Sequence, residues 1–198
     1  MKYILTICVS LMLCANASGV SKIDTALQKK ILLMFRQDQK WRIESDKINN
    51  GKSSAYDEAT INKNMAKTDS LNMMEAKLII KKHGYPGYNL VDTSGSNAFW
   101  AIIQHCDDDV AFQQQALTLM SREIKRHNAN GEDYALLQDR VLVNQGHKQL
   151  YGTQVRIDLK THHAKPFPIQ DSLQVDKRRK AVGLIPLQDY LKIFEPKQ

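Results

Sequence analysis

Ser94-Gly95-Ser96-Asn97-Ala98-Phe99-Trp100-Ala101-Ile102-Ile103-Gln104-His105 runs into Cys106-Asp107-Asp108-Asp109 and then into Val110–Ile124. Ser94 or Ser96 offers a hydroxyl to the free amides at a helix start. Phe99, Trp100, Ile102 and Ile103 then recur at helical spacing as far as His105. The three aspartates interrupt that helix and suit the N-terminus of another, whose exposed amides and dipole favour negative charge. Phe112, Ala116, Leu119, Met120 and Ile124 carry the period onward, so two helices follow one another around an acidic turn.

Toward the N-terminus the same period continues. Ile23, Leu27, Ile31, Met34, Phe35, Trp41 and Ile48 predict a helix from Ile23 to about Ile48, broken by Gly51-Lys52-Ser53-Ser54. A second helix is predicted from about Ser70 to His83, with Leu71, Met74, Leu78 and Ile79 on one side. Gly84 suits its C-cap and Pro86 prevents continuation through the turn Tyr85-Pro86-Gly87-Tyr88. Toward the C-terminus, Glu132 to about Gln145 reads as a helix with Tyr134, Leu137, Val141 and Leu142 inward and Gly146 as its stop. Thr153–Leu159 then alternates polar with apolar and reads as a strand. Lys165–Ile169 can return antiparallel, confined to an edge by Pro166 and Pro168. A helix from about Ser172 to Ala181 and a short one opened by Pro186 complete the chain. The expectation is a mainly α single domain of about six to seven helices, with a small β-hairpin near the C-terminal third.

The first residues read differently. Lys2, the apolar run Ile4–Leu13 and the small residues of Ala15-Asn16-Ala17 form a secretory signal pattern, with cleavage expected after Ala17 and the domain occupying residues 18–198. The run is shorter than the ~20 residues that span a bilayer, so no transmembrane segment is expected after cleavage. Leu11-Met12-Leu13-Cys14 offers a lipoprotein box as the minor alternative, weakened by the bulky Leu13 before the cysteine. The expected location is periplasmic or secreted. Of Cys8, Cys14 and Cys106, only Cys106 survives cleavage, which excludes an intrachain disulfide framework. The formal charge is +7, or +6 without Lys2, and it is spread along the chain apart from Lys177-Arg178-Arg179-Lys180. That balance favours anionic surfaces or ligands weakly. No stacking motif accompanies it, and with export expected a nucleic-acid partner is not predicted.

Several short motifs occur in a fixed order: Gln104-His105, Asp139-Arg140, Gln149-Leu150-Tyr151-Gly152-Thr153-Gln154, Asp176-Lys177-Arg178-Arg179 and Gly183-Leu184-Ile185-Pro186-Leu187. Asp38-Gln39-Lys40-Trp41-Arg42 and His83-Gly84-Tyr85-Pro86 precede them. In this combination the chain resembles the bacterial domain of unknown function family 6624 over nearly its whole length after the signal. The resemblance implies a bacterial, mostly helical domain and carries no reaction.

The residues themselves suggest a polar cleft. His105 stands at a helix C-terminus, where the dipole favours its cationic form, and histidine is the usual acid or base near neutral pH. Asp139 would orient it and Tyr151 would add a phenol, which makes His105, Asp139 and Tyr151 the catalytic candidates. Gln104, Arg140, Gln154, Arg178 and Arg179 are the candidate ligand contacts. Arg140 needs a carboxylate or an anionic ligand if buried, and Asp176 is a candidate partner for it. The arginines offer planar forks for carboxylates or phosphates. His105 and Asp109 lie four apart and His162-His163 are adjacent, yet no HExxH motif, paired cysteine or spaced histidine set completes a metal geometry. No metal or cofactor is therefore predicted. Phosphate loop, dinucleotide fingerprint, G-x-S-x-G and CxxC signatures are absent. Cys106 reads as a small buried apolar residue. Two classes stay open: a domain binding a small polar or anionic ligand, with hydrolase-like activity as its enzymatic form, and a non-catalytic envelope-associated protein in which the same residues form a structural network.

Overall fold

The computed structural model describes residues 22–158 and 163–194. The signal pattern, Cys14, the predicted end of the strand at Leu159 and His162 lie outside the described residues. Seven α-helices are present among those described: α1 (Thr25–Asn49), α2 (Glu58–His83), α3 (Tyr88–Gln104), α4 (Val110–Ile124), α5 (Gly131–Asn144), α6 (Val175–Ala181) and α7 (Leu187–Lys192). Two short strands, β1 (Val155–Ile157) and β2 (Ala164–Pro166), pair antiparallel with Arg156 opposite Lys165. The chain is mainly α with one β-hairpin in its C-terminal part, as the periodicity predicts.

Helix α3 is the axis of the core. Val91, Phe99, Ile102 and Ile103 on it are fully or nearly fully buried, against Ile31 and Met34 of α1, Ile79 and Ile80 of α2, Phe112 and Met120 of α4, and Leu137 and Val141 of α5. Each such side chain contributes about 1.5–3 kcal/mol by leaving water. The starts of α1, α2, α4 and α5 are capped by Asp24, Asp57, Asp109 and Asn130, whose side-chain oxygens accept from main-chain amides. Each cap satisfies amide donors that have no partner within the helix.

Three helix boundaries differ from the sequence reading, and the return strand is Ala164–Pro166 rather than Lys165–Ile169. Helix α2 starts at Glu58, well before Ser70, because Asp57 caps it, and Ile61 is the one buried residue of its first half. Helix α3 starts at Tyr88 and passes a break at Asp92, whose φ of 62° leaves the helical region; the serines do not cap it. The C-terminal helix divides into a 3-10 turn at Ser172–Gln174 and α6.

Most of the apolar group read on one side of α2 points outward. Leu71, Met74 and Leu78 are exposed at 53 %, 59 % and 59 %, whereas the side of α2 that meets the core carries Ile61, Asn72, Ala76, Ile79 and Ile80. Of the apolar group predicted on one side, only Ile79 is buried. Ala76 can enter the core because it lets the neighbouring helices approach closely, so size outweighs hydropathy there.

Candidate functional site

A carboxylate on an apolar stripe builds the site. Leu27, Ile31, Met34 and Asp38 fall on one face of α1 and all are buried, Asp38 with 1 % exposure. An unpaired buried charge is costly, and Asp38 is doubly paired. Its Oδ1 lies 2.9 Å from His105 Nδ1 and 3.1 Å from a terminal nitrogen of Arg42, one turn on. Arg42 in turn donates to both oxygens of Asp69 on α2, at 3.0 and 3.1 Å. Its Nε donates to His105 Nε2 at 3.2 Å.

This arrangement sets the tautomer of His105. A guanidinium only donates, so Nε2 must accept and the ring proton sits on Nδ1, facing Asp38. Burial holds the Asp69 carboxyl above its ordinary range, and the Arg42 charge opposes that shift.

Arg42, Asp69 and His105 line a pocket of about 280 Å³ with Asn62, Met65, Asp107 and Arg140. The far wall is a second ion pair. Arg140 Nε donates to Asp107 Oδ1 at 2.8 Å and a terminal nitrogen of Arg140 reaches Oδ2. Asn144 Nδ2 and Gln113 Nε2 also donate to Asp107, at 2.8 and 3.0 Å. Burial alone would raise the Asp107 carboxyl, but Arg140 and these amides outweigh it and hold it below its usual range. Asp109 takes no part: it caps α4 and pairs with Lys77 at 2.8 Å.

Asp38, Asp69 and His105 are also a set whose ligand atoms lie within 4.8 Å of one another, close enough to share a cation. Arg42 fills that role itself, since its guanidinium reaches all three side chains.

The structure separates the predicted cleft into two groups. His105 and Arg140 meet at the pocket. Asp139, next to Arg140 but on the buried side of α5, faces the other way. Its carboxylate accepts from the amides of Leu150, Tyr151 and Thr153 at 2.7, 3.0 and 2.9 Å, and from the Thr153 hydroxyl at 3.0 Å. The carboxylate beside His105 is therefore Asp38, not Asp139. Arg140 pairs with Asp107, not Asp176, whose Oδ1 instead accepts from the Leu187 amide at 2.8 Å.

The remaining candidates, Gln104 apart, surround the same loop as Asp139. Arg178 Nε donates to the Leu150 carbonyl at 2.8 Å, and its terminal nitrogen to those of Gln170 and Asp171 at 2.6 and 3.0 Å. Arg179, wholly buried, donates to the carbonyls of Ile185 and Tyr151, both at 2.6 Å, and its guanidinium sits 4.8 Å from the Tyr190 ring centre. Desolvation lowers its affinity for a proton. Gln154 Nε2 reaches the Leu136 carbonyl and the Thr153 hydroxyl. Burial raises the Tyr151 phenol. Gln104 is present through its main-chain carbonyl, which accepts from Gln113 at 3.2 Å. Around residues 149–154 the partners of these side chains are thus mostly backbone groups.

Sequence reasoning missed Asp38, Arg42 and Asp69. A signal for the first two was present: an aspartate at an apolar stripe position, with an arginine four residues later on the same helix face. Asp69 carried none, because the predicted second helix began after it.

The fold and site together define a mainly α domain with a histidine set between a buried carboxylate and an arginine at the wall of a charged pocket. The chain belongs to the family of unknown function DUF6624, whose model matches residues 25–197. No curated protein and no solved structure matches it.

Proposed function

We propose that the pocket at His105 binds a small polar or anionic molecule and performs acid–base chemistry of the hydrolytic kind on it. The observation that carries this reading is the Asp38–His105–Arg42 chain of contacts at the pocket wall. Asp38 holds the proton on Nδ1 and would stabilise the imidazolium formed when Nε2 takes a proton from water or a substrate hydroxyl. Arg42 now occupies Nε2. An anionic group entering the pocket competes with Asp69 for the Arg42 fork and draws the guanidinium away, which frees Nε2 as the base. Arg140 supplies a second fork on the opposite wall. With its leader, the protein would be exported, with cleavage after Ala17 and a periplasmic or secreted product; lipidation at Cys14 is the tethered variant of the same route.

A second reading is supported by the mutual pairing of these groups: Arg42 satisfies Asp38, Asp69 and His105 at once, as a structural network does. The two separate in one experiment. Wild type and His105→Gln are compared in denaturant, and their thermal shifts are read against inorganic phosphate, acetate and a panel of small carboxylates and sugars. The proposal expects His105→Gln to fold within about 1 kcal/mol of wild type and to lose a ligand-induced shift that wild type shows. Strong destabilisation with no ligand shift in either protein sinks it.

A further inference from the structure

The α1–α2 hairpin carries a face that the pocket does not use. Leu71, Met74 and Leu78 follow one another at intervals of three and four, so they lie along one side of α2, and each is more than half exposed. Leu33 of α1 is 49 % exposed. The two helices run antiparallel, and their register follows from the Lys30–Glu75 ion pair and from Asn72 Nδ2, which donates to the Met34 carbonyl at 3.4 Å. That register brings Leu33 level with the middle of the Leu71–Met74–Leu78 row, and the three α2 side chains form a continuous apolar row rather than scattered exposures. Singly exposed apolar residues are ordinary; grouped ones mark an interaction surface.

The surroundings are basic. Lys63, Lys67, Lys81 and Lys82 of α2 and Lys29 and Arg36 of α1 are all exposed. Lys63, Lys67 and Lys81 fall on the same outward side of α2 as the apolar residues, at the period of the helix, and Lys82 lies next to it. The acidic residues of α2 are engaged elsewhere: Asp69 binds Arg42, Glu75 pairs with Lys30, and Glu58 lies in the first turn. Two shallow grooves flank the patch between the helices, one at Leu78 and Lys82 and one at Leu71 and Lys67. Each places a lysine beside an apolar side chain.

We propose that this face docks on an anionic lipid bilayer. The leucines and methionine would enter the headgroup boundary while the lysines meet lipid phosphates, the combination that holds interfacial helices in place. A second copy of the chain is the poorer occupant, because two such faces would set lysine against lysine. The proposal does not depend on the chemistry at His105.

Co-sedimentation of the purified protein with vesicles tests it, using phosphatidylglycerol mixed with phosphatidylethanolamine against neutral phosphatidylcholine. Two variants accompany wild type, Leu71→Gln/Met74→Gln/Leu78→Gln and Lys67→Glu/Lys81→Glu/Lys82→Glu. Every substituted residue is exposed, and thermal melting verifies that each variant folds. Wild type is expected to bind the anionic vesicles, weakly at high salt, with at least about a tenfold loss of partitioning in each variant. Failure of wild type to bind overturns the proposal, as does equal binding to neutral vesicles or unchanged binding by both variants. Self-association, or capture of a polyglutamate peptide, without vesicle binding would assign the face to a protein partner and likewise overturn it.

Discussion

Replacing Asp139 by alanine tests how the C-terminal third is held to the helices. The carboxylate is fully buried and accepts four donors, the amides of Leu150, Tyr151 and Thr153 and the Thr153 hydroxyl. Alanine leaves all four without an acceptor. A buried donor left unpaired costs about 1–3 kcal/mol. Thr153 is buried, while Leu150 and Tyr151 are partly open to water and can recover part of their loss. The net cost is expected at about 3–5 kcal/mol, a large share of the 5–15 kcal/mol that holds a typical domain together. Asp139→Asn keeps one accepting oxygen and should cost less than the alanine. Urea denaturation followed by far-UV circular dichroism measures both, and trypsin digestion shows whether the 149–170 segment opens first. A loss below about 0.5 kcal/mol in Asp139→Ala would refute the role given to this carboxylate.

Burial and the neighbouring Glu132 push the Asp133 carboxyl up to about 7. Its folded value therefore lies above the unfolded one, so the stability it contributes is complete below about pH 4 and is lost as pH rises through 7. Asp133→Asn should accordingly stabilise the protein by about 1–3 kcal/mol at pH 8 and have little effect at pH 4; melting temperatures at the two pH values decide it, and equal shifts would contradict the assignment. Gly152 has a φ of 74°, and a Cβ there would lie 2.8 Å from side-chain atoms of both Ile169 and Leu187. Gly152→Ala is expected to destabilise by about 1–3 kcal/mol in the same denaturation assay. Cys106 is buried and desolvation pushes its thiol up to about 12. It should resist iodoacetamide in the native protein at pH 8 and react at once in urea, followed by mass spectrometry; rapid native labelling would show an open site.

Much of the helical architecture was legible in the chain itself. Apolar spacing at three and four marks α1, α3, α4 and α5, and Asp109, Gly84 and Pro186 mark starts and stops, because helix ends expose backbone groups that only certain residues satisfy. Helix α2 was less legible. Its first half gives no clear period, and three of its large apolar residues, Leu71, Met74 and Leu78, face outward. Periodicity shows that residues share a face without saying what that face meets.

The functional residues divide along the same line. Sequence alone singled out His105 and Arg140, and both reach the pocket. It also marked Asp139, Tyr151, Gln154, Arg178 and Arg179 as polar groups that need partners. Only the tertiary structure decided which partners those were. Asp38 and Asp69 come to His105 from helices distant in the chain, whereas Asp139 and the two arginines turn to the amides and carbonyls of one loop. The physical reason is that hydrogen bonding and burial depend on what packs against a side chain. A linear pattern fixes the face on which a charge sits, and the packing of helices decides whether that charge meets a loop, a histidine or solvent.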